Sequence, residues 1–152
     1  KDELAARCPD TVPQIFRYQT FIDNNSLFNT VPTFPVYMLC LVTRWLKANG
    51  GLKAMHALNQ RKAAKLYDAI DSTDFYSGTA IKTCRSDMNV TWRIANEDLE
   101  SVFIEEATKE NLKTLKGHRS VGGVRASIYN AFPEAGVDAL ISFMKEFGAR
   151  HG

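Results

Sequence analysis

The chain has 152 residues, 45% apolar and 24% charged, and its 19 basic and 17 acidic residues leave a net charge of +2. These values describe about one domain of folded chain and exclude a disordered tail, a collagen-like fibre and a disulfide-dense mini-protein. The longest apolar run, Val36 to Val42, has seven residues where a membrane span needs about 20, and the charge is too small to argue for nucleic acid or an anionic membrane as partner.

The first thirty residues are irregular, punctuated by Pro9, Pro13 and the cluster Asp23-Asn24-Asn25-Ser26, with Arg17 to Ile22 reading as a short strand. From Phe34 onward, Phe34, Met38, Leu41, Val42 and Trp45 recur at helical spacing. Tyr37, Leu39 and Cys40 fill the other faces, so this helix is apolar almost all round and calls for cover on several sides. Asn49-Gly50-Gly51 stops it. A second helix spans Leu52 to Ile70, its stripe made of Leu52, Met55, Leu58, Leu66 and Ile70.

Met88, Val90, Trp92 and Ile94 then alternate with polar residues as a half-buried strand. Asn96 reads as the N-cap of a helix that buries Leu99, Val102, Phe103 and Ala107. Val124, Ala126 and Ile128 alternate again, and Pro133 opens a last helix carried by Val137, Leu140, Ile141, Met144 and Phe147. Too few strands interleave with these helices for a doubly wound sheet. The pattern predicts an α+β fold, a small sheet with helices on one face. Trp45 and Trp92 read as core; His56, His151, Lys62 and Lys65 read as helix-surface residues.

The three cysteines, Cys8, Cys40 and Cys84, form no CxxC, which suits a reducing, cytoplasmic setting and no structural zinc. The charged start Lys1-Asp2-Glu3-Leu4 is not a signal peptide. A chain beginning with Lys rather than Met is expected to be a processed product or a piece of a longer protein.

Chemistry concentrates in two places. Residues Lys116 to Arg125 thread three cations and His118 with three glycines. Arginine presents a planar fork to carboxylate or phosphate, and glycine lets the backbone approach a ligand. Arg125 falls on a predicted strand while His118 and Arg119 sit in the loop before it, so a ligand with two separated anionic ends would fit. A solvated basic hairpin turn has the same pattern, and the residues alone leave both readings open. The second place is Asn29-Thr30 ahead of the apolar helix, whose N-terminal N–H groups suit an anion or serve ordinary capping. Arg85-Ser86 reads as a turn contact or a weaker binding candidate. No Ser-His-Asp set, P-loop or dinucleotide-binding glycine motif is present.

The run Lys116 to Ala131, KGHRSVGGVRASIYNA, closely resembles a signature of the phosphoserine aminotransferase family, bacterial type. Phe28-Asn29-Thr30-Val31-Pro32-Thr33-Phe34 is similar to that family's Asn-Thr-Pro-Pro-Thr segment, with Val31 in place of the first proline. Trp45-Leu46-Lys47 with Gly50-Gly51, residues 59–71, Arg85 to Val90 and Phe143 to Phe147 resemble it too. The resemblance covers nearly the whole chain but only the C-terminal part of the family.

It implies the small C-terminal domain of a fold-type I pyridoxal-phosphate enzyme, with a small mixed or antiparallel sheet. Residues 1–32 would be a remnant of the large domain, 33–50 a buried interdomain helix and 51–152 the small domain. It implies a cytoplasmic homodimer that interconverts 3-phosphohydroxypyruvate plus glutamate with phosphoserine plus 2-oxoglutarate in serine biosynthesis, and a related step in pyridoxal-phosphate synthesis. It gives Asn29 and Thr30 to the cofactor phosphate of the neighbouring subunit, His118 and Arg119 to the substrate phosphate and Arg125 to the substrate α-carboxylate.

The family's Schiff-base lysine and its acidic partner lie upstream of the matching segment, so this chain alone is expected to be inactive. The alternative is a stand-alone anion-binding or interaction module derived from that family. Nucleic-acid binding through Lys116, His118 and Arg119 is disfavoured, because no aromatic-rich strand accompanies them.

Overall fold

The computed structural model describes residues 2–152; Lys1, the first residue of the expected large-domain remnant, lies outside them. The chain divides into two compact units, one ending at Ala48 and one running from Asn49 to Gly152.

The first unit is helical: α1 (Asp2–Ala6), α2 (Tyr18–Asp23) and α3 (Thr33–Ala48). The strand expected over Arg17 to Ile22 is instead α2. A lone strand has no neighbour here to take its backbone groups, whereas a helix satisfies its own. Side chains reinforce the turn: Gln19 Nε2 donates to Asp23 Oδ1 at 2.7 Å, and Asn24 Nδ2 to the Thr20 carbonyl at 2.8 Å. Helix α3 contains no buried residue. Trp45, read as core, is 40% exposed, and Phe34 and Leu39 are 71% and 63% exposed. Among the described residues no helix is long and apolar enough to cross a membrane.

The second unit carries the core. Its elements are α4 (Gly51–Asp71), β1 (Tyr76–Gly78), β2 (Asn89–Ile94), α5 (Leu99–Lys109), β3 (Val124–Ser127) and α6 (Glu134–His151). The three strands form an antiparallel sheet in the order β1-β2-β3. Three-residue β1 was too short to show an alternation in sequence. Helix α5 begins at Leu99 rather than beside Asn96. The Asn96 side chain accepts the Asp98 N–H at 3.1 Å in a turn that precedes the helix.

Strand alternation decides which way each residue faces. Val90, Trp92, Ile94, Val124 and Ala126 are buried against α4, α5 and α6. Phe103 of α5 centres the packing, its ring 5.0 Å from those of Phe143 and Phe147 and 6.2 Å from Trp92. Thr91, Arg93 and Arg125 line the other, more open face of the sheet.

Lys62 corrects the surface reading. Its side chain is fully buried, and its ammonium donates to the carbonyls of Ile128 (3.1 Å), Tyr129 (2.7 Å) and Phe132 (3.1 Å). Three donors meet three acceptors, which satisfies an otherwise costly buried cation. Desolvation pushes its pKa below the usual lysine value, and Glu134 opposes that shift. Of the expected α4 stripe Met55, Leu66 and Ile70 are buried and Leu58 half-buried, but Leu52 is 82% exposed, and Lys62 lies on the buried side. Lys65 stays half-buried at the edge, paired with Glu134 at 2.8 Å and Asp138 at 2.9 Å.

Candidate functional site

The glycine-rich segment folds as a tight hairpin. The Gly117 N–H donates to the Gly123 carbonyl at 2.9 Å, and the Arg125 N–H to Leu115 at 2.7 Å. At the tip, the Val121 and Gly122 N–H groups both donate to the His118 carbonyl, at 2.9 and 2.8 Å. The sequence needs glycine here for space as much as for dihedral angle. A Cβ on Gly117 would sit 1.9 Å from the Gly122 carbonyl oxygen, and Gly122 and Gly123 have φ of +76° and +71°.

His118 and Arg119 project from this tip. The Ser120 N–H lies 3.3 Å from His118 Nδ1 and can only donate, which makes Nδ1 the acceptor and leaves Nε2–H of the neutral ring free as a donor. Ser120 Oγ closes the same contact at 2.7 Å. Arg119 is exposed and makes no ion pair or hydrogen bond among the described residues. Both residues line a cleft of about 520 Å³ between the tip and the start of α5, together with Lys116, Asp98 and Ser101.

Arg125 is held differently, in mid-strand opposite Thr91 and outside that cleft. Four arginines are half-buried among the described residues: Arg17, Arg85, Arg93 and Arg125. Arg17 pairs with Asp10, Arg85 with Asp71, and Arg93 with Glu97 and Glu100. Arg125 alone of the four has no carboxylate, and its Nε is buried without a hydrogen-bond partner. A half-buried guanidinium without a carboxylate has the donor geometry to take an anion.

Asn29 and Thr30 lie in the other unit, exposed, immediately before α3. Neither side chain has a partner among the described residues. An amide, a hydroxyl and the free N–H groups of a 16-residue helix are phosphate-donor chemistry. Arg85, the weaker candidate, is committed elsewhere. It forks onto Asp71 and stacks 4.4 Å from the centre of the Tyr67 ring.

The aminotransferase class-V family profile matches residues 10–140. The chain belongs to that family. It is 50% identical over its whole length to a phosphoserine aminotransferase of Desulfatibacillum aliphaticivorans, of which it covers 42%. Its fold matches the phosphoserine aminotransferase of Bacillus circulans subsp. alkalophilus with a TM-score of 0.91 at 46% identity, over 99% of this chain and 42% of that one. It also matches a pyridoxal-phosphate-bound phosphoserine aminotransferase from Trichomonas vaginalis, with a TM-score of 0.84 at 40% identity over 95% and 42% of the two chains. The class-V chain thus spans less than half the length of these relatives, corresponding to their C-terminal part.

Arg93, overlooked in the sequence, also packs against this tip, its Nη1 donating to the Val121 carbonyl at 3.0 Å. It left one signal, Glu97 four residues on and Glu100 seven, which becomes legible once the strand-to-helix corner is known.

Proposed function

We propose that this chain is the C-terminal part of a phosphoserine aminotransferase, which exchanges an amino group between glutamate and 3-phosphohydroxypyruvate. The observation that carries the reading is Arg125, half-buried on the open sheet face with no acidic partner. It takes the substrate α-carboxylate as a fork of two parallel hydrogen bonds. His118 Nε2–H and the Arg119 guanidinium take the substrate phosphate from the neighbouring tip. Two anion sites on separate supports measure the distance between the two charged ends of one substrate, which is how a phosphorylated acid is told from a plain one.

Asn29 and Thr30 fit the phosphate of pyridoxal phosphate, reached across a homodimer interface. Bound there, that cofactor supplies the electron sink that amino-group transfer requires. The chain itself contributes binding and orientation. The one fully buried lysine among the described residues, Lys62, spends its protons on three carbonyls and is not available as a covalent anchor. We therefore propose that residues 1–152 alone do not transaminate. The uncovered apolar surface of α3 suits burial against further chain or a second subunit. The setting we propose for it is a cytoplasmic enzyme of serine biosynthesis, with a related step in pyridoxal-phosphate synthesis.

Two measurements test this. In protein that carries this chain and turns over glutamate with 3-phosphohydroxypyruvate, Arg125→Ala should lower kcat/KM by about 30-fold or more, as loss of a partner to a bound charge does; wild-type turnover in that variant overturns the assignment. The chain alone, mixed with pyridoxal phosphate and reduced with borohydride, should yield no single stoichiometrically labelled lysine. One such lysine would overturn the reading that the covalent anchor lies elsewhere.

A further inference from the structure

Arg93 occupies the corner where β2 turns toward α5, and all three of its nitrogens are engaged. Nη1 donates to the Val121 carbonyl at 3.0 Å. Nη2 contacts Glu97 Oε2 at 2.8 Å, and Nε contacts Glu100 Oε1 at 2.8 Å. Gly122 and Gly123 pack flat on the same side chain; a Cβ on either would come within 2.9 Å and 2.8 Å of it. One planar group thus joins the sheet, the first turn of α5 and the tip that carries His118 and Arg119.

We propose that Arg93 is a positioning residue for this tip, and that it sets the aim of His118 and Arg119 without touching the ligand. The proposal rests on the reading of His118 and Arg119 as phosphate ligands. Its physical basis is the economy of fixed geometry. The tip's own bonds among the described residues are short-range, from Gly117, Val121, Gly122 and the Ser120–His118 pair. A free hairpin tip would have to be ordered each time an anion arrives, and that ordering would be subtracted from affinity. Glu97 and Glu100 pair with the guanidinium, and their two negative charges outweigh its one positive charge, so Arg93 adds no net attraction for an anion. The clamp therefore acts through position, leaving Arg119 and His118 as the groups that attract the anion. A lysine cannot replace it, because a single ammonium on a flexible stem does not span three directions at once.

The test uses the full chain and two variants, Arg93→Met and Arg93→Lys. Amide hydrogen exchange without ligand reads the tip directly. The Gly117, Val121 and Gly122 amides should exchange about tenfold faster in Arg93→Met, the loss expected of a hydrogen bond to a charged group. Amides of β2, β3 and α6 should keep their wild-type rates. Arg93→Lys, which retains the charge facing Glu97 and Glu100 and so guards against a variant that does not fold, should also free the tip. Inorganic phosphate, titrated while the His118 imidazole is followed by NMR, should bind the wild type and bind either variant about tenfold more weakly.

Wild-type exchange at the tip in both variants overturns the clamp. Uniform loss of protection across the sheet and α6 also overturns it, since that is a general structural role. An imidazole indifferent to phosphate in the wild type overturns the phosphate reading itself, an outcome told apart from the others because the exchange experiment contains no ligand.

Discussion

Arg85 and Asp71 meet as a fork, with both guanidinium nitrogens 2.7 Å from the two carboxylate oxygens. The pair ties the loop before β2 to the last turn of α4. The Arg85 hydrogen bonds, helped by Lys82 and opposed by desolvation, hold the Asp71 pKa down to about 2. A carboxylate whose pKa is depressed on folding stabilises the fold above its unfolded value and loses that contribution as pH falls through its folded value. The window therefore runs from about pH 4 down to about pH 2. Asp71→Asn should flatten the loss of stability across that window, measured by urea unfolding at a series of pH values. An unchanged slope would show that the pair adds no pH dependence.

Lys62 is expected to be worth more than any surface lysine. Lys62→Met takes the ammonium donor from the carbonyls of Ile128 and Phe132 and leaves Tyr129 with the Phe132 N–H alone. Buried acceptors so orphaned should cost about 2 kcal/mol or more, while Lys53→Met on the exposed side of α4 should stay within about 0.5 kcal/mol. Urea midpoints of the two variants make the comparison; equal values would mean that the turn finds water in place of Lys62.

Gly117→Ala should open the tip. The added methyl would overlap the Gly122 carbonyl oxygen, which is backbone and cannot swing aside. The expected result is loss of the Gly117–Gly123 bond with the core around Phe103 intact. Near-ultraviolet circular dichroism would retain the aromatic signal, while the tip amides lose protection. A normal tip in this variant would mean that the hairpin tolerates a wider crossing.

Helix α3 should drive concentration-dependent self-association. Phe34 and Leu39 are more than half exposed, on a 16-residue helix with no buried side chain. Leu39→Glu should shift sedimentation equilibrium toward monomer. Wild-type chain that stays monomeric at every concentration would overturn this.

Most of the second unit was legible in the residues. The alternation around Trp92 and around Ala126, and the stripe Val137, Leu140, Met144 and Phe147, each state one period clearly, because one side of the element is dry. Cations among glycines fit an anion site and a solvated basic hairpin turn alike, and it is the family resemblance that favours the first. What escaped has a common physical cause: it depends on partners far apart in sequence. Lys62 reads as solvent-facing until the carbonyls 66 to 70 residues away are known. Arg93 reads as an outward strand residue until the tip 28 residues on folds back to it. Arg17 to Ile22 has β-branched and aromatic residues suited to a strand, yet Tyr18–Asp23 is helical, with Gln19 bonded to Asp23 and Asn24 to the Thr20 carbonyl.

A lysine sealed like Lys62 is also a clock. An acylating reagent reaches the exposed amines of Lys47, Lys53, Lys113 and Lys145 directly from solvent. It reaches Lys62 only when α4 parts from the turn that precedes α6. Acyl transfer to that one amine, counted by peptide mass against the other lysines, records how often the second unit opens.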